Sequence, residues 1–278
     1  MPRTVWYPGH MAKGTRKLKE LAEKLDLIIE VRDSRAPIST AAPFAHALSK
    51  IKPVIRVLSK KDLALPENLN LWLKNSGTFA VDLREKKGLT ALRKAILKFK
   101  PSHREVRLAI VGIPNVGKSM LLNSLIKKSN AIVGGIPGVT KSVNWYRNDG
   151  MLIVDSTGIL DPHAEPGVHL MLSWLGCAKA DAVGGWENAA LSLIKFLKSN
   201  NMLKIIPVET ELDELEAITL EKIGIRFGCL ISGGRINTEL AARRFIESFS
   251  SGKLGLVSLE SPGEKTVLEW QLKNNEDL

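Results

Sequence analysis

The sequence predicts an α/β fold, a doubly wound and mainly parallel sheet followed by a small all-α domain, and three observations carry that prediction. Through the first two thirds of the chain, short apolar runs alternate with amphipathic segments at the spacing of βαβ units. One of these runs, Leu108-Ala109-Ile110-Val111, leads into Gly112-Ile113-Pro114-Asn115-Val116-Gly117-Lys118-Ser119 and then into a helical Met120-Leu121-Leu122-Asn123-Ser124-Leu125. From Asp181 onward the pattern is purely helical. The domains read from this are 1–180 for the α/β part and 181–278 for the helical part with its tail.

Taken in order, Leu18, Leu21, Ala22 and Leu25 recur at helical spacing and predict a helix from Ala12 to Leu25. A strand at Leu27 to Val31 and a turn at Asp33 to Pro37 follow, where Asp33 and Arg35 either face a ligand or hold the turn as a local ion pair. A helix near Phe44 to Ser49 precedes the strand Pro53 to Leu58, which runs into Ser59-Lys60-Lys61-Asp62. A helix at Glu67 to Asn75, a strand at Thr78 to Val81 and a helix at Gly88 to Phe99 complete this half, and the polar Lys100 to Glu105 joins it to the next. Asn144 to Arg147 reads as an antiparallel edge strand, in a hairpin with Met151 to Val154 through Asn148-Asp149-Gly150. After Gly158, Ile159 to Pro162 and a helix at Val168 to Leu175 form a second switch. Three bundle helices end the chain: one with Leu191, Ile194, Phe196 and Leu197, one capped by Thr210 with Leu212, Leu215, Ile218 and Ile223, and one capped by Asn237 or Thr238 with Ala241, Phe245 and Phe249. Their stripes read as core.

The glycine-bounded loop has the chemistry of a phosphate cradle. Its glycines let successive backbone N–H groups converge on oxyanions, Lys118 neutralises the outer phosphates, and the Ser119 hydroxyl is placed for a magnesium ion at the helix N-terminus. Asp155, at the tip of the Met151 to Val154 strand, can reach that ion through water, and Gly158 can donate its N–H to the terminal phosphate. Thr140, in the glycine-rich stretch from Gly134, completes the metal shell as part of a loop that orders around the γ-phosphate. Base choice is read upstream. Ser59-Lys60-Lys61-Asp62 is a variant of the Asn-Lys-x-Asp guanine reader: Asp62 accepts from N1–H and the N2 amine, and Lys60 packs across the base. Val116, Gly117 and Met120 flank the phosphates. The reader precedes the phosphate loop, so the domain is a circularly permuted, Ras-like P-loop GTPase domain.

Trp6-Tyr7-Pro8-Gly9-His10-Met11, Asp33-Ser34-Arg35-Ala36-Pro37, the permuted motif order and Gly252-Lys253-Leu254-Gly255 together resemble the circularly permuted GTPases of the YlqF type, the ribosome biogenesis GTPase A family. The resemblance implies binding of GTP and GDP with Mg2+, slow hydrolysis that the ribosome accelerates, and assembly of the large ribosomal subunit through contacts with precursor rRNA and ribosomal proteins. It also implies a catalytic role for His10. A loop reading Gly-x-Pro-Asn-x-Gly-Lys-Ser resembles those of potassium-binding GTPases, which makes Asn115 a K+ ligand. Three departures from the family pattern stand out: Ser59 for asparagine, Thr157 where Asp-x-Pro-Gly is expected and Asp82-Leu83 for the Ser-Ala of the base-supporting loop. Ile159 stands at the place where Ras-like enzymes carry a water-orienting glutamine. Two other readings stay open, an RNA-binding module using nucleotide only as a structural ligand and an ATP-using enzyme.

Charge agrees with an RNA-facing surface. The chain carries a net charge of +11, and the first 100 residues, with 21 Lys and Arg against 9 Asp and Glu, hold all of that excess. Apolar spans of membrane length and an apolar leader are both missing from the sequence, which predicts a cytoplasmic protein without a membrane anchor. Cys177 and Cys229 suit a reducing compartment, and nothing in the sequence requires more than a monomer.

Overall fold

The computed structural model describes residues 22–42, 49–126, 132–133, 145–155, 166–206, 208 and 218–263. Most of the two helices expected at Ala12 to Leu25 and Phe44 to Ser49, the Gly134 to Thr140 loop, the Ile159 to Pro162 segment and the start of the helix expected after Thr210 lie outside the described residues.

Among the described residues, seven strands form one sheet: β1 (Leu27–Asp33), β2 (Val54–Ser59), β3 (Thr78–Ala80), β4 (Val106–Val111), β5 (Ile132–Val133), β6 (Trp145–Asn148) and β7 (Met151–Asp155). Their order across the sheet is β3-β2-β1-β4-β7-β6-β5. The β1–β2, β2–β3, β1–β4 and β4–β7 pairs are parallel, whereas β6 runs antiparallel to both β5 and β7. The strand that feeds the phosphate loop, β4, is therefore central. Buried on both faces, β4 is apolar except for Arg107, and β1 opens on the apolar Leu27-Ile28-Ile29 but also carries Glu30, Arg32 and Asp33. The β6–β7 hairpin turns on Asp149 and Gly150, both at positive φ (42° and 79°), the conformation that a two-residue Asp-Gly turn supplies.

Between these strands lie α1 (Pro66–Leu73), α2 (Leu89–Leu97) and α3 (Lys118–Leu125). Proline opens α1, where its missing N–H costs nothing. Leu89, Leu92 and Ile96 are the buried side of α2. One face of the sheet is closed by Ala22, Leu25, Ile28, Ala42, Ala109, Val111, Trp145, Leu152 and Val154, a continuous apolar cluster. The join between the two sequence halves is pinned by Arg104, whose guanidinium makes a bidentate pair with Asp26 just before β1 (2.6 and 2.9 Å).

The helical unit comprises α4 (Pro166–Trp174), α5 (Trp186–Ser199), α6 (Leu220–Arg226) and α7 (Thr238–Ser250). Ala189, Leu193, Leu197, Ile223, Ala241, Phe245 and Phe249 make its core. Trp174 packs obliquely on Phe196 with ring centroids 5.2 Å apart and donates its indole N–H to the Ala189 carbonyl. The caps are Thr219, which accepts from the Lys222 N–H, and Asn237, which accepts from Leu240. Among the described residues, no helix is long and apolar enough to cross a membrane.

Two domain expectations change. Compact packing divides the chain between residues 162 and 163, so α4, expected as part of a switch, belongs to the helical unit, where its apolar residues meet α5 and α7. The described part of the tail, residues 257–263, packs with the α/β unit, because its backbone and Glu260 find hydrogen-bond partners there.

Gly88 opens α2 at φ 87°, and a Cβ there would lie 2.4 Å from the backbone oxygen of Ala80. Backbone cannot yield as a side chain tip can. Gly88→Ala is expected to destabilise the α/β unit by about 2 kcal/mol or more, read from the urea midpoint against wild type.

Candidate functional site

The phosphate loop leaves the central strand at Val111, and its shape depends on two glycines. A Cβ on Gly112 would sit 2.6 Å from the Val31 carbonyl oxygen of the neighbouring strand, so only glycine lets the loop start this close to β1. Gly117 caps α3 at φ 102°, and Asn115 adopts φ 60°, a conformation asparagine tolerates better than most residues. Lys118 is buried, with Nζ 2.6 Å from the Ile113 carbonyl, which lays the side chain back along the loop. Ser119 and Met120 are exposed in the first helical turn. That turn supplies the N–H groups for which an α-helix has no internal acceptor. The far end of α3 is held by Arg93, donating to the carbonyls of Ser124 and Leu125 at 2.8 and 2.9 Å, and by Asn148, donating to Leu125. These features fit a phosphate chain, and the exposed Ser119 hydroxyl fits a hard cation such as magnesium.

The reader segment meets this loop. Ser59 is fully buried at the end of β2, and its Oγ lies 2.5 Å from the Val116 carbonyl and 3.0 Å from that of Arg32. Seen from Gly117, a Cβ would be 3.4 Å from Leu83 Cδ1 and 3.6 Å from Ser59 Cβ. Three segments far apart in sequence therefore converge at the start of α3. Asp62 lies in the short 3-10 turn Lys61–Leu63, with its side chain 29% exposed and Arg84 4.0 Å away. Asp82 accepts the N–H groups of Arg84 and Glu85 on Oδ1, at 2.9 and 3.0 Å, and so shapes its own loop.

Lys60, expected to pack across a base, has its ammonium engaged by a neighbouring strand end. Its Nζ is 2.8 Å from Asp33 Oδ2, because Lys60 takes a left-handed backbone (φ 54°) at the end of β2 and Asp33 ends the adjacent strand in register with Ser59. Asp33 also accepts from the Arg35 backbone N–H and guanidinium, at 2.9 to 3.0 Å. The local Asp33–Arg35 pair is the turn-holding alternative of the sequence reading. The link onward to Lys60 had no signal, since no short-range pattern connects residues on neighbouring strands. Burial alone would raise the Asp33 carboxyl, but the charges and hydrogen bonds of Arg35 and Lys60 overcome it and hold the pKa at about 2.

The remaining expected residues are placed only in part. Asp155 ends β7 with its backbone in register with Ile110, beside the strand that feeds the loop. The Asp155 side chain, His10, Thr140 and Gly158 lie outside the described residues.

The Asp33 cluster generates a prediction with a defined sign. A carboxyl depressed from 3.8 to about 2 stabilises the fold above pH 4 and loses that contribution as pH falls through 2. The contribution is roughly 2 kcal/mol. Asp33→Asn is expected to lower stability at pH 7 by about 3 kcal/mol, since two cations lose their counter-charge, and the gap to wild type should narrow between pH 4 and pH 2 in urea titrations.

Comparison with known proteins agrees with this geometry. Residues 107–215 match the family described as 50S ribosome-binding GTPase. Ribosome biogenesis GTPase A of Bacillus pumilus (strain SAFR-032) is 34% identical over 277 residues, covering 92% of this chain and 98% of that protein. The crystal structure of GNP-bound YlqF from T. maritima superposes with a TM-score of 0.65 at 26% identity, covering 91% of this chain and all of that one. A GDP-bound YlqF gives 0.63 at 26% identity, over 90% of this chain and all of its own. The Ser59–Asp62 segment at the end of β2 precedes the phosphate loop in a mainly parallel sheet, and the α/β unit is a circularly permuted, Ras-like P-loop GTPase domain. The chain belongs to the ribosome biogenesis GTPase A family and is a guanine-nucleotide-binding GTPase.

Proposed function

We propose that the protein is a GTP-hydrolysing assembly factor for the large ribosomal subunit, docking on precursor rRNA and ribosomal proteins with GTP bound and leaving after hydrolysis. The observation that carries the nucleotide part is the Ser59 hydroxyl against the Val116 carbonyl, which joins the reader segment to the phosphate loop. The ribosomal part is supported by the 50S description of the matched family and by the basic first 100 residues.

In this reading, the first-turn N–H groups of α3 and Lys118 bind the phosphates, while Val116, Gly117 and Met120 line the loop. Asp62 accepts from guanine N1–H and the N2 amine. Adenine offers no such pair, so leaving Asp62 unpaired would penalise ATP strongly. Ser59 compensates for the missing asparagine by tying the reader to the loop; Asp82 and Leu83 support the base side. Ser119, Thr140 and, through water, Asp155 would hold Mg2+, which when bound offsets phosphate charge. Asn115 would hold K+. His10 orients the attacking water in place of the missing glutamine, Gly158 donates to the terminal phosphate, and the protein acts as a cytoplasmic monomer.

Asp62→Asn tests the reader. It is expected to weaken GTP binding by about a hundredfold and to improve binding of xanthosine triphosphate, whose C2 oxygen accepts from the new amide. Competition of GTP, ATP and XTP for the wild-type and variant proteins checks this, and equal GTP affinity in the two would remove Asp62 from the site. Single-turnover hydrolysis with and without large-subunit precursor particles tests the partner. A rise of at least tenfold with particles is expected, larger in K+ than in Na+ at equal ionic strength, with His10→Ala reducing it.

A further inference from the structure

The segment that follows the helical unit runs in extended form along two loops of the GTPase unit. Val257 donates its N–H to the Leu63 carbonyl (3.0 Å), one residue beyond Asp62, and Leu259 donates to the Arg35 carbonyl (2.8 Å). Between them, the Ser258 hydroxyl accepts from the Leu65 N–H at 3.1 Å. Ser261 accepts from Asn68, and the Glu260 carbonyl accepts from the Trp72 indole at 3.4 Å.

Glu260 anchors the segment. Its side chain is buried, and its carboxylate accepts the N–H groups of Ile38 and Ser39 and the Ser39 hydroxyl, at 2.5, 3.0 and 2.5 Å. Burial pushes this carboxyl above its usual value, against the pull of those donors. The turn it holds continues directly to the reader. Thr40 accepts the Asp33 N–H at 2.9 Å, and Asp33 pairs with Lys60 at 2.8 Å. The Asp33–Ser39 and Lys60–Leu65 loops are thus joined twice, by the Asp33–Lys60 ion pair and by the strap Val257–Ser261.

The reader turn needs such support. Lys61–Leu63 is a single 3-10 turn closed by one Lys60 to Leu63 hydrogen bond (2.9 Å), entered through a left-handed Lys60, so little within it fixes where Asp62 stands. We propose that the strap is a positioning element for guanine recognition, with Glu260 as its anchoring residue, holding the Lys60–Leu65 loop where Asp62 reads the base. The inference rests on Asp62 being that reader. Because the strap begins where the helical unit's chain ends, it also gives that unit a covalent path to base affinity, and a partner that displaced the strap would weaken guanine binding by the same factor that guanine weakens the partner.

The test uses the full chain and two substitutions. Glu260→Gln removes the charge and keeps the shape, whereas Val257→Pro removes the N–H that bonds to Leu63, with a fixed φ and a changed buried side chain, and leaves the Glu260 carboxylate itself unaltered. Affinities for GDP and for IDP, which lacks the N2 amine, are measured by calorimetry, with Asp62→Asn alongside and kcat at saturating GTP as a further readout. Each strap variant is expected to bind GDP about tenfold more weakly, with the GDP to IDP ratio falling and kcat unchanged. Unchanged GDP affinity in both variants, or equal weakening of GDP and IDP, would reduce the strap to packing and overturn the proposal. If Asp62→Asn itself leaves GDP affinity unchanged, the reader premise fails, and that result is distinct from failure of the strap alone.

Discussion

A carboxylate without access to water organises the nucleotide side of this protein. Asp33 ends β1 and is fully buried, so its charge persists only because Arg35 and Lys60 supply fixed cations and hydrogen bonds. Arg35 lies in the turn that Asp33 begins, and Lys60 begins the loop that carries Asp62. One ion therefore joins two neighbouring strand ends, and removing it would leave the fully buried Arg35 and the partly buried Lys60 without that counter-charge. The 3-10 turn bearing Asp62 and the Ser59 contact with the phosphate loop flank that arrangement.

Circular permutation leaves this spatial logic untouched. In open α/β sheets a ligand lies beyond the carboxyl ends of the strands, near the point where strand order reverses. Here that point lies between β1 and β4, and Asp33, Ser59, Val111 and Asp155 end four of the five strands that take part in parallel pairs. Which strand comes first in the chain does not matter to the ligand; which ends are adjacent does. The Arg104–Asp26 pair, 2.6 Å at its closest, fixes the polar join that permutation introduces.

The serine at the asparagine position illustrates how a shorter residue can serve. A serine side chain ends one atom beyond Cβ, so it can reach the Val116 carbonyl only if β2 and the phosphate loop approach closely. Gly117 and the buried Leu83 allow that approach. The same closeness means that the loop, the reader and the Asp82–Leu83 segment share packing, and a change in one is felt by the others.

Several features were legible in the sequence because they rest on short-range physics. The apolar runs of β1 and β4, the Asp-Gly hairpin, the glycine-bounded loop and the Asn237 cap each depend on neighbours within a few residues, where periodicity and backbone preference act. The motif order was legible as well, and with it the permuted GTPase domain. Only the tertiary structure decided that Lys60 turns to Asp33, that Ser59 bridges to Val116, that α4 joins the helical unit and that Glu260 returns to Ser39. Those contacts join residues from 27 to more than 220 positions apart, counting Asp33 to Lys60 at one end and Ser39 to Glu260 at the other. No local pattern encodes them, because what selects them is the need of each buried charge or N–H for a partner that only the folded chain brings within reach.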